Sequence, residues 1–363
     1  MTAKGTSGLT DRRSFLAMAG AAWTTSLSPR AAFALSRTEA VFAAAFMAPD
    51  GGYGIATVAE EGAIISRERL PARAHGLAFS AATGDIVAFA RRPGTFAMIL
   101  DRTRRRAPIV ITAAEGRHFF GHGCFSADGR LLYATENDFS EGRGMVGVYD
   151  ATDAYARIGE FASHGIGPHD MTLMEGGRLL AIANGGISTH PDFGRTKLNL
   201  DSMEPSLSLV DTRTGALVET HGLPPELRQL STRHLDLDAD GRLWFACQYE
   251  GARNDLPPLV GTLRRGEAPA FVTLPDPVTE SLANYVGAIA INRAENHVGL
   301  TSPKGGALVV LDAASGRVLQ TRALKDAAGI APAPHGLAAS SYDGRFGGTL
   351  SPVAWDQHIV RLG

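Results

Sequence analysis

The chain has 363 residues, with 35 lysines and arginines against 37 aspartates and glutamates, and a formal net charge of −2 at pH 7. This mildly acidic balance, without a basic tail, argues against nucleic acid or anionic lipid as a partner. The two cysteines, Cys124 and Cys247, exclude a disulfide-rich scaffold and are expected to be free thiols. The 44% of hydrophobic residues suffices for a large core.

The N-terminal segment has the features of an export signal. Thr-Asp-Arg-Arg-Ser-Phe-Leu at residues 10–16 is a twin-arginine signature, a short apolar stretch follows, and Ala-Phe-Ala at residues 32–34 is a signal-peptidase site. We therefore predict a signal peptide over residues 1–34, a single domain over residues 35–363, and a periplasmic location. No stretch is long enough to span a bilayer, so no membrane insertion is expected after cleavage.

After this segment, the sequence repeats one unit. His75, His122 and His169 are separated by equal steps of 47 residues, and each precedes a short alternating strand, a glycine turn and a second strand. His234 and His335 begin similar segments. The clearest unit, from His122, predicts strands at residues 123–126, 131–135, 145–150 and 156–161.

The number of units sets the predicted architecture. The third strand recurs at residues 206–211 and 307–312, a further unit begins near residue 286, and an N-terminal unit has strands at residues 41–46, 53–58 and 62–66. Such a period with four strands is typical of β-propellers. We predict an all-β, seven-bladed β-propeller, with six or eight blades as alternatives. Residues 355–362 would complete the last sheet or close the ring with the N-terminal strands.

The repeated histidines indicate one candidate site. The first strand of each propeller blade lines the central channel, so a side chain that recurs there converges on the axis. The predicted metal ligands are His75, His122, His169, His234 and His335, with His122, His169 and His234 as the core set and Glu136 and Gln248 as neighbours. Imidazole suits iron, copper, zinc and nickel, and affinity should fall as the pH drops through ~6.5.

Polar residues after the second strands are expected at the same mouth of the channel. A long loop in the unit of His169 emerges there as well, and we predict that it forms an ordered cover rather than a helix. The candidate residues for binding a partner or ligand at this face are Arg91, Glu136, Asn184, His190, Asp192, Arg195, Arg233 and Gln248. No catalytic residue is predicted.

A purely structural role for the histidines is the main alternative. WD-type propellers also begin a blade with His-Gly, and there hydrogen bonds tie the imidazole into neighbouring turns. In this chain the Trp-Asp partner pattern is missing and the residue after the histidine varies, so a shared backbone role does not explain the set.

The chain also resembles a known family. Arg-His-Phe-Phe-Gly-His-Gly at residues 117–123, Gly-Pro-His-Asp at 167–170, the segment at 184–200 and Ser-Thr-Arg-His-Leu at 231–235 carry the resemblance. The family comprises twin-arginine-exported bacterial propellers catalogued as a domain of unknown function and similar to quinoprotein-amine-dehydrogenase-β-like propellers. Its genes neighbour those of imelysin-type iron-uptake proteins, which implies a role in periplasmic iron acquisition. No catalytic residue is known that could be transferred.

Three functions follow as hypotheses. The first is a periplasmic protein that binds an iron or copper ion at the histidine-lined mouth, with an imelysin-like protein as a candidate partner. The second is a non-enzymatic scaffold that docks such a partner and binds no metal. The third is a metal-dependent enzyme that uses the same mouth. The sequence contains no nucleophile elbow, P-loop or haem-attachment motif, which disfavours the third.

Overall fold

The computed structural model describes residues 39–363, so the predicted export signal lies outside the described residues. Ala40–Gly363 form one compact unit. Its strands, numbered β1 to β28 in chain order, build seven four-stranded sheets arranged as blades. The predicted all-β, seven-bladed propeller is thereby confirmed.

Each blade is built outwards from a strand that lines the channel. In this order, blade 1 contains β28 (Ala354–Arg361), β1 (Phe42–Met47), β2 (Tyr53–Val58) and β3 (Ile64–Arg69). Blade 2 contains β4 (Ala74–Phe79), β5 (Asp85–Ala90), β6 (Phe96–Asp101) and β7 (Ile109–Thr112). Blade 3 contains β8 (Arg117–Phe125), β9 (Leu131–Asp138), β10 (Arg143–Asp150) and β11 (Ala156–Ala162). Blade 4 contains β12 (Pro168–Met174), β13 (Leu179–Asn184), β14 (Ser206–Asp211) and β15 (Leu217–Gly222).

The last three blades follow the same order. Blade 5 contains β16 (Leu230–Leu237), β17 (Leu243–Tyr249), β18 (Val260–Leu263) and β19 (Ala270–Phe271). Blade 6 contains β20 (Ala288–Asn292), β21 (His297–Ser302), β22 (Ala307–Asp312) and β23 (Val318–Ala323). Blade 7 contains β24 (Ala327–Pro332), β25 (Leu337–Ser341), β26 (Arg345–Phe346) and β27 (Thr349–Leu350).

Helical structure is sparse in the described part of the chain. One short α-helix, α1 (Asp276–Ser281), precedes blade 6. Single 3-10 turns occur at Glu175–Gly177, Pro191–Phe193, Leu200–Ser202 and Pro225–Leu227. None of these helices is long and apolar enough to cross a membrane.

The innermost strands form a closed ring. They contact one another in the order β28, β4, β8, β12, β16, β20 and β24, and β24 contacts β28 again. The ring closes because β28, near the C-terminus, pairs antiparallel with β1. Trp355 on β28 is fully buried against the rings of Phe46 and Phe346, and its indole N–H donates to the carbonyl of Gly344. Of the two predicted roles for the C-terminal strand, the structure has ring closure with the N-terminal strands.

The core lies between neighbouring blades. The second strands of blades 2 and 4, β5 and β13, are buried along their whole length, because each face packs on an adjacent blade. This two-sided burial explains why these strands are continuous apolar runs rather than alternating ones. Of the two cysteines, Cys247 is buried and Cys124 is partly buried, and both are free thiols, as expected.

Blade 7 begins one strand earlier than its sequence indicates. Residues after His335 were expected to form the first strand of a unit, but Leu337–Ser341 form β25, the second strand, and β24 precedes it. His335 therefore lies in the turn between β24 and β25, and its side chain is 97% exposed. The sequence prediction was wrong here because an alternating strand followed by an Asp-Gly turn has the same local pattern whether it is the first or the second strand of a blade.

Candidate metal centre

Five histidines meet inside the ring, and we call this group the histidine belt. Each lies on the innermost strand of a different blade: His75 on β4, His122 on β8, His169 on β12, His234 on β16 and His358 on β28. The first four are between 2 and 7% exposed. Four of the five predicted ligands therefore come together, and His358 completes the group where His335 had been expected.

The imidazole rings pack in a compact arrangement. His75, His169, His234 and His358 follow one another around a circuit, with neighbouring ring centroids 4.8 to 5.2 Å apart. His122 contacts all four, at centroid distances of 4.6 to 5.5 Å. His122 is thus the common neighbour of the whole belt.

Irregular pairing of the inner strands places these rings side by side. Each of the five belt strands has a register shift against its neighbour in the same sheet at or next to the histidine, as between Ala74 and Leu77 on β4. A bulge of this kind redirects a side chain. Of the two inner strands without a belt histidine, β20 pairs without a shift and β24 has one between Ala327 and Ile330.

Two glycines make room for the packed rings. A Cβ atom at Gly121, whose φ is +110°, would lie 2.8 Å from the His75 ring. A Cβ atom at Gly76 would lie 2.7 Å from Nδ1 of His122 and 2.5 Å from the carbonyl oxygen of Gly121. The glycines beside the belt histidines are therefore required by the close approach of blades 2 and 3.

Two overlapping triads have the composition of a metal site. His75, His122 and His358 form one, and His122, His169 and His234 form the other, with the candidate ligand atoms of each triad within 4.8 Å of one another. Nitrogens bound to one tetrahedral ion at ~2.1 Å lie roughly 3.4 Å apart, so small side-chain rotations would complete the geometry. The second triad is the core set that the sequence predicted.

Asp170 supports the centre from the adjacent position in the chain. Its carboxylate lies 3.2 Å from Nδ1 of His122 and 3.9 Å from Nδ1 of His234, and it also accepts the backbone N–H of Leu235. Burial by itself would raise the pKa of Asp170, but the two histidines and this N–H hold the pKa below its usual value. An ionised Asp170 accepts the Nδ1 proton of His122 and leaves Nε2 free to bind, as second-shell carboxylates do in metal sites.

Each belt imidazole keeps one ring nitrogen outside the hydrogen bonds of the fold, although Asp170 holds Nδ1 of His122. Among the described residues, a buried ring nitrogen in each imidazole has no hydrogen-bond partner: Nδ1 of His75, Nε2 of His122, Nδ1 of His169, Nδ1 of His234 and Nε2 of His358. Leaving a buried polar atom unpaired costs on the order of 1–3 kcal/mol. Five such atoms directed into one group fit a metal better than a structural spacer.

The electrostatic environment keeps four of the rings neutral. Burial is the main cause that lowers the pKa values of His75, His169, His234 and His358, and repulsion from neighbouring rings and arginines adds to it. The pKa of His234 falls to about 3. Neutral imidazole is the form that binds metals. Protons therefore compete for these four rings only well below the ~6.5 expected from free imidazole.

A cavity of about 490 Å³ adjoins the belt at the C-terminal ends of the inner strands. His122, Asp170, Asp236 and His358 contribute to its lining. Burial raises the pKa of Asp236 to about 6. The cavity presents two carboxylates to a cation, of which Asp236 is partly offset by Arg293 at 3.4 Å, and we call it the acidic cavity.

The structure places Glu136 away from the belt. Its carboxylate accepts hydrogen bonds from the Tyr149 hydroxyl at 2.6 Å and from the Arg157 guanidinium at 2.9 Å, and it lies 3.9 Å from Arg117. These partners join strands β8 to β11 within blade 3. The sequence predicted that the second strand ends at Thr135, but Glu136 lies within β9, and its side chain faces the neighbouring strands of the blade rather than the channel.

Two other predicted polar residues also have structural partners. The Asn184 amide donates to the carbonyl of Ser163 and to the hydroxyls of Ser206 and Ser208. Gln248 donates to the carbonyl of Val286. Both residues join neighbouring segments, and the buried Oδ1 of Asn184 has no hydrogen-bond partner among the described residues.

The predicted cover is present, and we call residues 185–205 the roof loop. The Asn137 amide donates to the carbonyl of Thr189 at 3.0 Å, and Lys197 forms an ion pair with Glu250, so the loop is fixed to blades 3 and 5. It contains two single 3-10 turns and no α-helix. His190 caps the first of these turns by accepting the N–H of Asp192, while Asp192 and Arg195 are exposed.

Sequence reasoning missed His358 and Asp170. His358 was missed because it lies outside the repeated His-Gly pattern. It could have been found from its position in the C-terminal strand, since that strand is the inner strand of blade 1 and is equivalent to the strands that carry the other four histidines. Asp170 follows His169 directly, and an acidic residue next to a predicted ligand was the available signal.

Comparison with known proteins agrees with the fold. A model of the family described as "Protein of unknown function (DUF1513)" matches residues 68–362. The chain belongs to this family. No curated protein matches the sequence significantly.

Solved structures show the fold alone. A Kuenenia stuttgartiensis hydrazine synthase chain is similar with a TM-score of 0.61 and 13% identity, over 84% of this chain and 94% of that one. The β-propeller domain of Myceliophteria thermophila Cps50 (Swd1) is similar with a TM-score of 0.56 and 12% identity, over 83% and 93% of the two chains.

Proposed function

We propose that this DUF1513 protein binds one transition-metal ion, of the iron or copper type, at the histidine belt. The observation that carries the proposal is the set of five buried imidazoles, each with an unpaired buried nitrogen, around the shared neighbour His122. Imidazole nitrogen binds both metals well, and Asp170 supplies the carboxylate that orients such a ligand. The ion enters through the acidic cavity. Together with the twin-arginine signature, this favours metal handling in the periplasm, in iron acquisition.

The test is metal binding by the exported protein, purified without an affinity tag or chelator. We expect about one equivalent of metal by elemental analysis, and stoichiometric titration of the metal-free protein with Fe(II) under anaerobic conditions or with Cu(II). His122→Ala should lower the affinity at least tenfold because both triads contain His122. Asp170→Asn should lower it by roughly 10–100-fold.

The matched control is His335→Ala, which removes an exposed histidine distant from the belt. It should bind metal like the wild type, and the metal-free variants should melt within a few degrees of the wild type. An equal loss of metal affinity in His335→Ala and His122→Ala would reject the belt as the metal site. If His122→Ala does not fold, the structural role known from WD-type propellers is the better account.

A docking function is the second candidate. Phe193 and Leu198 on the roof loop are 60% and 47% exposed, so the loop offers two apolar side chains to a partner. We propose an imelysin-like periplasmic protein as the partner. Phe193→Ser with Leu198→Ser should weaken its binding to immobilised protein, whereas Leu350→Ser, at an exposed leucine on β27, should not. Equal binding by all three proteins would exclude docking through the roof loop.

A further inference from the structure

A group of arginines lies at the opposite end of the channel from the acidic cavity. Arg91 follows β5, and its backbone N–H bonds to the carbonyl of Arg73 at the start of β4. Arg92 is next in the chain, Arg233 occupies the bulge directly before His234, and Arg195 comes from the roof loop. We call Arg91, Arg92, Arg195 and Arg233 the arginine vestibule.

The carboxylates nearby are already paired with other cations. Asp356 forms a bidentate pair with Arg73 at 2.7 and 2.9 Å, and Glu250 pairs with Lys197. Within residues 39–363, none of the four vestibule arginines has a carboxylate within ion-pair distance. Glu250 attracts Arg92 and Arg233 at longer range, but no carboxylate pairs directly with a vestibule arginine.

Two of these guanidinium groups also lack hydrogen bonds. Nε of Arg91 and Nε of Arg233 are buried and have no partner in the described chain, and Arg233 as a whole is 7% exposed. Nε of Arg233 lies close to the start of the roof loop, because a Cβ atom added to Gly185 would lie 3.5 Å away from it. An unpaired buried cation costs several kcal/mol, so a site of this kind is completed by an anion.

Mutual repulsion within the vestibule points to the same conclusion. Burial first, and then the charges of Arg233, Arg195 and Arg91, lower the pKa of Arg92 to about 9. Burial and the charges of Arg91 and Arg233 also lower the pKa of Arg195. The four cations thus act on one another across the mouth, although they come from three blades, and a single ligand could contact several of them.

We infer that the arginine vestibule binds a small oxyanion, a phosphate or a carboxylate, beneath the roof loop. The planar guanidinium fork matches the paired oxygens of these groups, and the fixed loop limits the size of what enters. The inference does not require the proposed metal. Where metal is bound, the two ligands carry opposite charge on either side of the belt, so each should raise the affinity for the other.

The experiment measures anion binding to metal-free protein by calorimetry. Inorganic phosphate and citrate are titrated separately at constant ionic strength set with chloride, so that the two chemistries are distinguished. We expect saturable binding of at least one of them. Arg233→Gln and Arg195→Gln should each weaken it by about tenfold or more, since each removes a charge-assisted hydrogen bond. Arg213→Gln, at an exposed turn between β14 and β15, is the control and should bind like the wild type.

The outcomes separate this inference from the metal proposal. Anion binding that is lost in the vestibule variants supports it even if no metal binds. Failure of both anions to bind wild-type protein, or equal affinity in Arg213→Gln and both vestibule variants, would overturn it even if the belt binds metal. Arg195 lies exposed on a loop, so its variant remains informative if Arg233→Gln does not fold.

Discussion

At the scale of single residues, His122 determines how the belt is connected. It is the only member that contacts the other four rings, and its Nδ1 is the ring nitrogen closest to Asp170. The same ring approaches Gly76 so closely that no side chain is tolerated there. The position of one imidazole thus depends on a carboxylate from blade 4 and a glycine from blade 2.

The depressed histidine pKa values predict a pH-dependent stability of the metal-free protein. In the unfolded chain His75, His169, His234 and His358 take up protons below ~6.5, while in the folded protein they remain neutral to lower pH. The unfolded state then binds more protons, so stability falls as the pH drops below ~6.5, by up to about 1.4 kcal/mol per pH unit for each group.

Urea unfolding at pH 7.5, 6.0 and 5.0 measures this effect. The double variant His169→Gln with His358→Gln should have a distinctly shallower pH dependence than the wild type. The raised pKa of Asp236 makes the folded protein more stable as the pH falls, which is opposite to the effect of the histidines. Both the wild type and the double variant contain Asp236, so its contribution cancels when their slopes are compared. The same slope in both proteins would show that the belt histidines take up protons in the folded state.

At the scale of elements, the roof loop is separate from the blade that carries it. Strand β13 ends at Asn184 and β14 begins at Ser206, so the sheet of blade 4 is complete without the loop. The loop is held by its own contacts: the Asn199 side chain accepts the N–H of Ser188 at 2.7 Å and donates to the carbonyl of Gly186 at 2.9 Å.

Deleting residues 188–200 and closing the gap with a short turn should therefore leave the blades folded. We expect a metal-loaded deletion variant to lose its metal to a chelator several-fold faster than the wild type, because the cover over one mouth of the channel is gone. Circular dichroism and thermal melting provide the control for folding. An unchanged rate of metal loss would mean that metal exchanges through the acidic cavity alone.

At the scale of the whole molecule, the ring depends on the contact between the first and last strands, β1 and β28. Strand β28 closes blade 1 and carries both the buried Trp355 and His358. Removing a buried tryptophan side chain alone costs about 3–5 kcal/mol. A typical domain has a total stability of roughly 5–15 kcal/mol.

Deleting residues 354–363 should accordingly abolish cooperative thermal unfolding. His358→Ala keeps the strand and removes only the imidazole, so it should unfold cooperatively within about 2 kcal/mol of the wild type while binding metal more weakly. A cooperative transition in the truncated protein would show that blade 1 is stable without its inner strand.

The sequence predicted those features that are encoded locally. Strands β14 and β22 begin and end at the predicted residues, because alternation and the Asp-x-x-x-Gly turn define both ends within a few positions. The seven blades followed from the spacing of such units. Glu136 was misplaced because its orientation depends on register with Tyr149 and Arg157 across the sheet, and no local pattern records that register.

The sequence by itself determined the fold class, the number of blades and four of the five belt histidines, since each is fixed by a repeated local unit. The tertiary structure alone decided that His358 joins the belt and that His335 does not. His358 is brought in by pairing between β1 and β28, and His335 is excluded because β24 takes the inner position of blade 7. Both outcomes depend on which distant strands pair, and that pairing is set by the free energy of closing the ring rather than by neighbours in the sequence.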